Sequence, residues 1–400
     1  MPWKPVSIMD SRREFVRLAQ QDGVGVAELC RRFGISRQTG HSLLRRYREQ
    51  GEAGLHDRSR RPHDSPRRCP AAMEAEIIAL RQAHPAWGGR KLARRLHDLG
   101  LQDVPAPSTV TEVLRRHGLL DPAEAASHRP HQRFEHAAPN DLWQMDFKGH
   151  IPTDAGRCHP LTVLDDHSRY SLGVIACGAE SLGVVQAQLS GLFRRYGLPR
   201  RILCDNGPPW GDPHGAGRAM RSHTAFEVWL MRLGIGTGHG RPRHPQTQGK
   251  EERFHRTLRV EVLQSRRFAD LAACQRAFDA WRPIYNEQRP HEALGMEVPM
   301  TRYQASPVSF PEQLPEPLYH ASDLVRRVGR DGYLRFKGWP LKLSQAFQGL
   351  DVAFRATSQD GVWQLFFSRF PLATLDLRDE TPHLKTVRDV SVHLSNISPV

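Results

Sequence analysis

The chain has 400 residues with an ordinary soluble, globular composition, 39% hydrophobic and 25% charged, enough for roughly two to four domains. Residues 1–10 have no apolar core and no run reaches membrane-spanning length, so we expect neither a signal peptide nor a membrane partner. None of the six cysteines forms a Cys-x-x-Cys pair. They are therefore predicted to be reduced and buried, as in a cytoplasmic protein.

The formal net charge of +14, with a pI near 10.0, predicts a polyanionic partner, because folding gains nothing from self-repulsion. An arginine bias in codon usage is the alternative. Residues 1–70 carry 15 Lys and Arg against 8 Asp and Glu, which is half of the net charge in under a fifth of the chain. This asymmetry favours a basic DNA-binding arm over a general bias.

The first 56 residues have the pattern of a helix-turn-helix DNA-binding domain. Apolar periodicity predicts helices over residues 11–21, 26–33 and 37–49. Before the basic third helix, Gly34 is free to adopt a positive φ and Ser36 can cap the helix. A plain three-helix bundle with a solvated basic face would share this pattern. In the DNA-binding interpretation, the contacts come from Ser36, Arg37, Gln38, Arg45 and Arg46.

A second small helical DNA-binding domain is predicted over residues 71–120. A basic linker rich in Arg, Pro and Ser precedes it at 57–70, and a polar linker follows at 121–138. The predicted helices cover residues 71–82, 90–99 and 108–117, the last of them capped by Ser108.

From about residue 140 the pattern becomes that of an α/β core. Strands are predicted at 142–147, 158–164, 170–177 and 201–204, and helices at 181–196, 224–233, 248–263 and 271–285. Antiparallel strands followed by α/β alternation describe a ribonuclease-H-like mixed sheet with flanking helices, which we assign to residues 139–303.

A small β-barrel is predicted over residues 320–380, after a Pro-rich stretch. The predicted strands are 333–336, 352–356 and 362–367, and Asp360-Gly361 is a strong hairpin signal between the last two.

Three acids of the core stand where they could meet. Asp146 lies on the first strand, Asp205 ends the 201–204 strand, and Glu252 lies in the first turns of a helix. Carboxylates on buried strands are costly unless neutralised, so three that converge need cations. Hard oxygen ligands suit Mg²⁺ or Mn²⁺, and two such ions would stabilise both oxygens of an in-line phosphoryl displacement. Taken singly, Asp205 before Asn-Gly could be a turn former and Glu252 an i,i+4 partner.

Helix geometry favours Glu252 over Glu251 as the third acid. At ~100° per residue, Glu251 shares the stripe of Phe254 and Leu258, which must pack inward. Glu252 lies on the polar face instead. The candidate phosphate contacts on this helix are Lys250, Arg256 and Arg259.

Asp165 and Asp166 could compete for the same site. Their setting, Leu-Asp-Asp-His-Ser, favours a hairpin turn instead.

Three stretches together resemble the integrase-type catalytic core and, more closely, bacterial insertion-sequence transposases of the Asp-Asp-Glu class. They are Trp-Gln-Met-Asp-Phe at 143–147, Leu-Cys-Asp-Asn-Gly at 203–207, and His-Pro-Gln-Thr-Gln-Gly-Lys-Glu-Glu-Arg-Phe-His-Arg-Thr-Leu at 244–258. The resemblance is close over residues 139–303 and looser on either side.

The resemblance implies a ribonuclease-H-like transposase with two Mg²⁺ or Mn²⁺ ions. It would nick element ends by hydrolysis and join the freed 3′-hydroxyl to target DNA. By position, the catalytic and metal-binding carboxylates would be Asp146, Asp205 and Glu252. The implied partners are double-stranded DNA and further copies of the chain, near the nucleoid. No nucleotide cofactor is expected, since one phosphodiester replaces another and no phosphate-loop motif occurs.

Two features depart from the family pattern. Between Asp205 and Glu252 lie 46 residues, more than is usual in the superfamily, and a Gly- and Pro-rich insertion at 208–223 accounts for the excess. A His-His-Cys-Cys zinc unit is absent from the sequence, so the helix-turn-helix would take over its role.

Two other functions fit the same residues in part. A DNA-binding regulator without catalysis would be expected to lack one of the acids, and all are present. A plain nuclease would share the acids. A tyrosine recombinase is disfavoured because the chain has no His-x-x-Arg motif.

Overall fold

The computed structural model describes residues 7–58, 68–120, 135–211, 223–239, 249–264 and 266–386. The chain divides into two compact units, Met1–Arg68 and Cys69–Val400. Within the described ranges, no helix has the length and apolar character needed to cross a bilayer. All six cysteines are buried and free, as predicted.

The first unit is a small helical bundle built around Phe15, Leu29 and Leu44. The turn before its last helix is the predicted one, because Gly34 has a φ of +66° and the Ser36 hydroxyl accepts a hydrogen bond from the amide of Thr39. The helices are α1 (Ile8–Ala19), α2 (Val26–Arg32) and α3 (Arg37–Gln50), followed by a 3₁₀ turn, Gly51–Leu55.

The second unit begins with α4 (Ala71–Ala83), α5 (Gly89–Asp98) and α6 (Pro107–Arg116). Ser108 does not cap α6 as predicted. The helix starts one residue earlier at Pro107, whose fixed φ suits the first helical position.

The central element is the predicted mixed sheet, with strand order β2-β3-β1-β5-β6 and with β4 also paired to β3. Strands β1, β5 and β6 are parallel to one another, and the other pairings are antiparallel. The strands are β1 (Trp143–Phe147), β2 (Ile151–Thr153), β3 (Gly156–Asp165), β4 (Ser171–Cys177), β5 (Arg201–Cys204) and β6 (Gly236–His239).

Helices cover both faces of this sheet. Helices α7 (Leu182–Tyr196) and α8 (Ala225–Arg232) bury Phe193 and Phe226 against one face. On the other, α9 (Gly249–Leu258) and α10 (Leu271–Pro283) pack around Phe254 and Phe278. Both continue as π-helical turns, Arg259–Leu263 and Ile284–Gln288.

The C-terminal part is a small antiparallel sheet in the order β13-β12-β11-β10-β7, with a separate hairpin of β8 and β9. Gly361, with a φ of +77°, lies in the predicted hairpin turn, and Phe336 of the separate hairpin stacks on Phe354 at 3.8 Å between ring centroids. The strands are β7 (Leu324–Arg327), β8 (Tyr333–Phe336), β9 (Trp339–Lys342), β10 (Asp351–Ala356), β11 (Val362–Phe367), β12 (Phe370–Asp376) and β13 (Leu384–Thr386).

One buried carboxylate joins α4–α6 to the sheet domain. Glu261, whose side chain is 5% exposed, accepts hydrogen bonds from the indole of Trp87 at 3.1 Å and the indole of Trp281 at 2.7 Å. The guanidinium of Arg289, itself 8% exposed, also donates to it at 3.2 Å. A charge so deeply buried is tolerated because each oxygen has a donor.

We expect Glu261→Ala to lower the stability of the second unit by about 3–5 kcal/mol, because Arg289 would remain buried without its counter-charge. The measurement is the urea midpoint of the equilibrium unfolding transition that belongs to the second unit. As a control, Glu312→Ala removes an exposed partner of Arg194 and should leave the midpoint almost unchanged. Equal midpoints for both variants would show that Glu261 does not join the domains.

Candidate active site

Asp146 and Asp205 lie at the same edge of the sheet. Strands β1 and β5 are parallel neighbours in which Gln144 pairs with Leu203. Asp146 lies two residues after Gln144, and Asp205 lies two residues after Leu203. The carboxyl ends of adjacent parallel strands therefore bring these acids together, as the sequence predicts.

The two carboxylates affect each other electrostatically. Burial, and next to it the negative charge of Asp205, raises the pKa of Asp146 to about 7. The Asp146 side chain is 24% exposed, so solvent or a ligand can reach it. A cation at this edge would offset the repulsion that now favours the protonated form.

The Asp205 carboxylate is held on one side. Its Oδ1 accepts the amide hydrogen of Gly207 at 3.0 Å and the indole hydrogen of Trp210. None of the described residues donates a hydrogen bond to Oδ2. This oxygen therefore remains available as a ligand.

Glu251, and not Glu252, lies beside Asp146. Glu251 is 1% exposed, and the charge of Asp146 acts with burial to raise its pKa well above the ordinary value. The predicted inward stripe is confirmed, since Glu251, Phe254 and Leu258 are all buried. In the first turn of α9, this stripe faces the sheet edge that carries Asp146 and Asp205. Glu252, the next residue on the helix, is exposed, and the described residues include no group of three acids with it and the two aspartates that could hold a metal ion.

A buried polar network supports Asp146 from behind. The Thr162 hydroxyl lies 3.0 Å from the Asp146 carbonyl oxygen, 3.1 Å from Glu251 Oε2 and 2.8 Å from His255 Nε2. Burial lowers the pKa of His255 to about 3, so its ring is neutral. Among the described residues nothing bonds to Glu251 Oε1, which marks this carboxyl group as incompletely satisfied.

The donor set fits a hard divalent cation in part. Two aspartates at one sheet edge, one of them with an open oxygen, are suitable ligands for Mg²⁺ or Mn²⁺. Within the residues that the structure describes, however, no three His, Cys, Asp or Glu side chains are grouped closely enough to hold a metal ion. Asp146, Asp205 and Glu252, which were predicted to meet, therefore do not form one metal-binding group among the described residues.

Lys250, predicted to contact DNA, is used inside the protein instead. Its ammonium lies 2.5 Å from Asp166 Oδ1, and the two side chains are 17% and 3% exposed. The amide of Gln144 also donates to this oxygen, at 2.6 Å. A charge so paired and buried is not presented to a phosphate. The ion pair instead fixes the start of α9 against the sheet.

The neighbouring Asp165 has the predicted turn role. Its Oδ1 accepts hydrogen bonds from the amide of Ser168 at 2.8 Å and from the hydroxyl of the same residue at 2.6 Å. Its Oδ2 accepts from the amide of Asn140 at 2.7 Å. With Asp166 bound to Lys250, neither acid competes for the site.

The other predicted DNA contacts divide by exposure. Arg46 is half-buried, and its guanidinium donates to the carbonyl of His56, so the bundle holds this side chain. The side chains of Ser36, Arg37, Gln38, Arg45, Arg256 and Arg259 are exposed.

Sequence reasoning missed Thr162, His255 and Trp210. Thr162 pairs directly with Asp146 across β1 and β3, so its inward position followed from strand register alone. His255 lies four residues after Glu251, on the same helical face. Trp210 lies in the 208–223 insertion and is 1% exposed. Residues 212–222 of that insertion lie outside the described part.

Comparison with protein families identifies each part of the chain. Integrase core domain models match residues 136–245 and 233–299, and so include both aspartates and the start of α9. A helix-turn-helix domain matches residues 11–63, and a homeodomain-like domain matches residues 39–114. The C-terminal domain of IS481 family transposases matches residues 323–383.

Curated relatives come from insertion elements. The chain is 28% identical over 290 residues to the insertion element IS476 uncharacterized 39.2 kDa protein of Xanthomonas euvesicatoria, covering 71% of this chain and 79% of the relative. It is 29% identical over 238 residues to the insertion element IS407 uncharacterized 31.7 kDa protein of Burkholderia multivorans, covering 56% and 80%.

Solved structures similar to this one include retroviral integrases. A chain of the simian T-cell lymphotropic virus intasome matches with a TM-score of 0.37 and 15% identity, covering 78% of this chain and 95% of that one. The HTLV-2 integrase catalytic core domain in complex with magnesium matches with a TM-score of 0.32 and 15% identity, covering 42% and 99%.

The sheet domain is thus an integrase core, joined to helix-turn-helix domains on its N-terminal side. More particularly, residues 323–383 match the C-terminal domain of IS481 family transposases, and the chain is similar to insertion-element proteins. The resemblance predicted from the sequence is confirmed.

We expect Glu251→Gln to raise the thermal midpoint more at pH 8 than at pH 5, by about 2 °C or more. Because the folded-state pKa of Glu251 is raised, its favourable contribution is complete below about 4.5 and is lost as the pH rises through the folded-state value. Glutamine mimics the protonated form at every pH. Differential scanning calorimetry at both pH values measures the difference.

Glu252→Gln is the matched control, since it makes the same change one residue away on an exposed position. Because the side chain is exposed, we expect this variant to change the midpoint less than Glu251→Gln does at pH 8. A pH-independent effect of Glu251→Gln would contradict the burial of an ionisable carboxyl group at this position.

Proposed function

We propose that the chain cleaves DNA at the ends of an insertion element and joins the freed 3′ ends to target DNA by transesterification. Asp146, Asp205 and Glu252 are the catalytic carboxylates, and they hold two Mg²⁺ or Mn²⁺ ions. The observation that carries the proposal is the adjacency of Asp146 and Asp205 at one sheet edge, where the charge of Asp205 helps to raise the pKa of Asp146.

When bound, the two ions would activate the attacking oxygen and stabilise the leaving oxygen of the phosphodiester. The chain itself contributes ligands held in place before any ion arrives. Asp205 is restrained through Oδ1 by Gly207 and Trp210, which leaves Oδ2 as its ligand oxygen. The Thr162 hydroxyl bonds to the main-chain carbonyl of Asp146 and so steadies the end of β1.

Accessibility and the resemblance support Glu252 as the third carboxylate. Its side chain is exposed, whereas Glu251 is buried, with its Oε2 3.1 Å from the Thr162 hydroxyl oxygen. Burial raises the pKa of Glu251 well above its ordinary value, and the residue is 1% exposed, so an ion from solvent reaches Glu252 more readily. Glu251 is the rival assignment, and the two differ by a single position.

We expect Asp146→Asn, Asp205→Asn and Glu252→Gln each to reduce nicking of supercoiled plasmid by more than about 100-fold, because each removes a ligand charge. Nicking is measured in Mg²⁺ or Mn²⁺, with EDTA as the blank. Glu251→Gln should nick at a rate within a few-fold of the wild type.

Other outcomes of this assay are equally informative. If Glu251→Gln abolishes nicking while Glu252→Gln does not, the third ligand is Glu251. DNA binding without nicking by the wild type in either Mg²⁺ or Mn²⁺ would make the chain a DNA-binding regulator. Joining of pre-cleaved ends separates a transposase from a plain nuclease.

DNA recognition is assigned to the exposed side chains of α3. Arg37 and Gln38 lie in its first turn, where a helix-turn-helix protein contacts base edges, and Arg45 lies further along. The exposed Arg256 of α9 and Arg259 at the start of the following π-helical turn would contact phosphates near the site. Joining two element ends requires two active sites, so we propose a homo-oligomer on DNA near the nucleoid; a strictly monomeric complex in size-exclusion chromatography would contradict it.

Replacing Arg45 by alanine should weaken binding to a mixed-sequence duplex and reduce the slope of log affinity against log salt by about 1. The measurement is fluorescence anisotropy at several salt concentrations. Arg31→Ala is the control, since Arg31 lies on α2 and pairs with Glu28 at 2.9 Å. Equal slopes for both variants would favour a solvated basic face without a recognition helix.

A further inference from the structure

Asp205 is restrained at its side chain by the nearby Trp210 and at its main chain by the more distant His239. At the side chain of Asp205, Trp210 donates its indole hydrogen to Oδ1. Its ring is 1% exposed and stacks on Phe147, the residue after Asp146, at 5.1 Å between centroids and 9° between planes. One tryptophan thus contacts the immediate surroundings of both aspartates.

On the main-chain side, His239 at the end of β6 faces Asp205. Its Nδ1 lies 2.8 Å from the Asp205 carbonyl oxygen, which can only accept, so Nδ1 carries a proton and donates it. Its Nε2 lies 2.8 Å from Glu227 Oε1, and these side chains are 5% and 1% exposed. The buried pair therefore anchors the Asp205 backbone to α8.

The first turn of α8 connects these two sides. Thr224 caps the helix, accepting from the amide of Glu227 at 3.2 Å, while Glu227 Oε2 accepts from the amide of Thr224 at 2.8 Å. The Thr224 hydroxyl also lies 3.0 Å from the carbonyl oxygen of Trp210. The hydrogen bonds form a closed ring through Asp205, Trp210, Thr224, Glu227 and His239.

Glycine keeps the remaining oxygen of Asp205 open. A Cβ added at Gly207 would lie 3.1 Å from Oδ2, which is tighter than ordinary contacts. A Cβ at Gly211 would lie 2.3 Å from the main-chain oxygen of Asn206, so the loop can close onto Trp210 only with glycine there. Among the described residues, the loop thus bonds to Oδ1 and places no side-chain atom of Gly207 against Oδ2.

We propose that Trp210 is a positioning residue for the divalent cation: the hydrogen-bonded ring through Thr224, Glu227 and His239 fixes Asp205 so that Oδ2 is its metal ligand. The inference rests on the proposed function. It adds that metal affinity depends on an indole N–H that does not itself contact the metal. Hydrogen bonds to a ligating carboxylate commonly change metal affinity by about 10–100-fold when they are removed.

The test is Mn²⁺ binding by the full-length chain without DNA, followed by electron paramagnetic resonance of the free ion. Trp210→Phe keeps an aromatic ring against Phe147 and removes only the donor and part of the ring volume. We expect its Mn²⁺ dissociation constant to rise by about 10-fold or more. The Mn²⁺ concentration that gives half-maximal nicking should rise in parallel.

Trp281→Phe is the matched control. It also removes an indole hydrogen bond to a carboxylate, that of Glu261, at a site away from the two aspartates. It should lower the thermal midpoint and leave Mn²⁺ affinity unchanged. A purely structural role for Trp210 would give both variants the same profile.

A second pair of variants guards against misfolding of Trp210→Phe. Thr224→Val removes the hydroxyl that bonds to Trp210, and Thr224→Ser keeps it. Weaker Mn²⁺ binding in the first and wild-type binding in the second would support the ring. Wild-type Mn²⁺ affinity in both Trp210→Phe and Thr224→Val, with nicking intact, would overturn the inference alone. A wild-type chain that neither binds Mn²⁺ nor nicks would overturn the proposed function as well.

Discussion

The constraint on which the site depends is the repulsion between two carboxylates at the ends of adjacent parallel strands. Sheet register places Asp146 and Asp205 together, and burial, with the charge of Asp205 adding to it, raises the pKa of Asp146. The surrounding structure supplies donors to their main chains and to one side of Asp205, but no buried cation of its own is described there. An external cation is the natural complement of such an edge.

The sequence predicted the features that depend on local pattern. Apolar and alternating segments located β1 and β5, and the position of each aspartate followed from where its strand ends. Strand β6 was missed because Gly236–His239 contains two glycines and no β-branched apolar residue; it is a strand because β5 offers it an unpaired edge. Pairing with β5, and not the strand propensity of its own residues, makes this segment a strand.

The third acid shows the limit of helical periodicity. Periodicity predicted that Glu251 lies on the buried stripe with Phe254, and the structure confirms it. Periodicity does not predict which residues of the sheet the first turn of that stripe contacts. That turn faces Thr162 and Asp146, so an inward position there means proximity to the site. The role of Lys250 was equally hidden, because its partner Asp166 lies 84 residues away in sequence.

The contact made by Glu261 bears on how such proteins could be recombined. Trp87 and Arg289 meet on this carboxylate, so the helices of residues 71–116 share a buried polar junction with the integrase core. A chimera that exchanges the N-terminal helical domains at residue 120 would place a foreign surface against Glu261, which would lose its partner Trp87. An exchange made before Cys69, at the border between the two compact units, would transfer α1–α3 alone and keep that junction native.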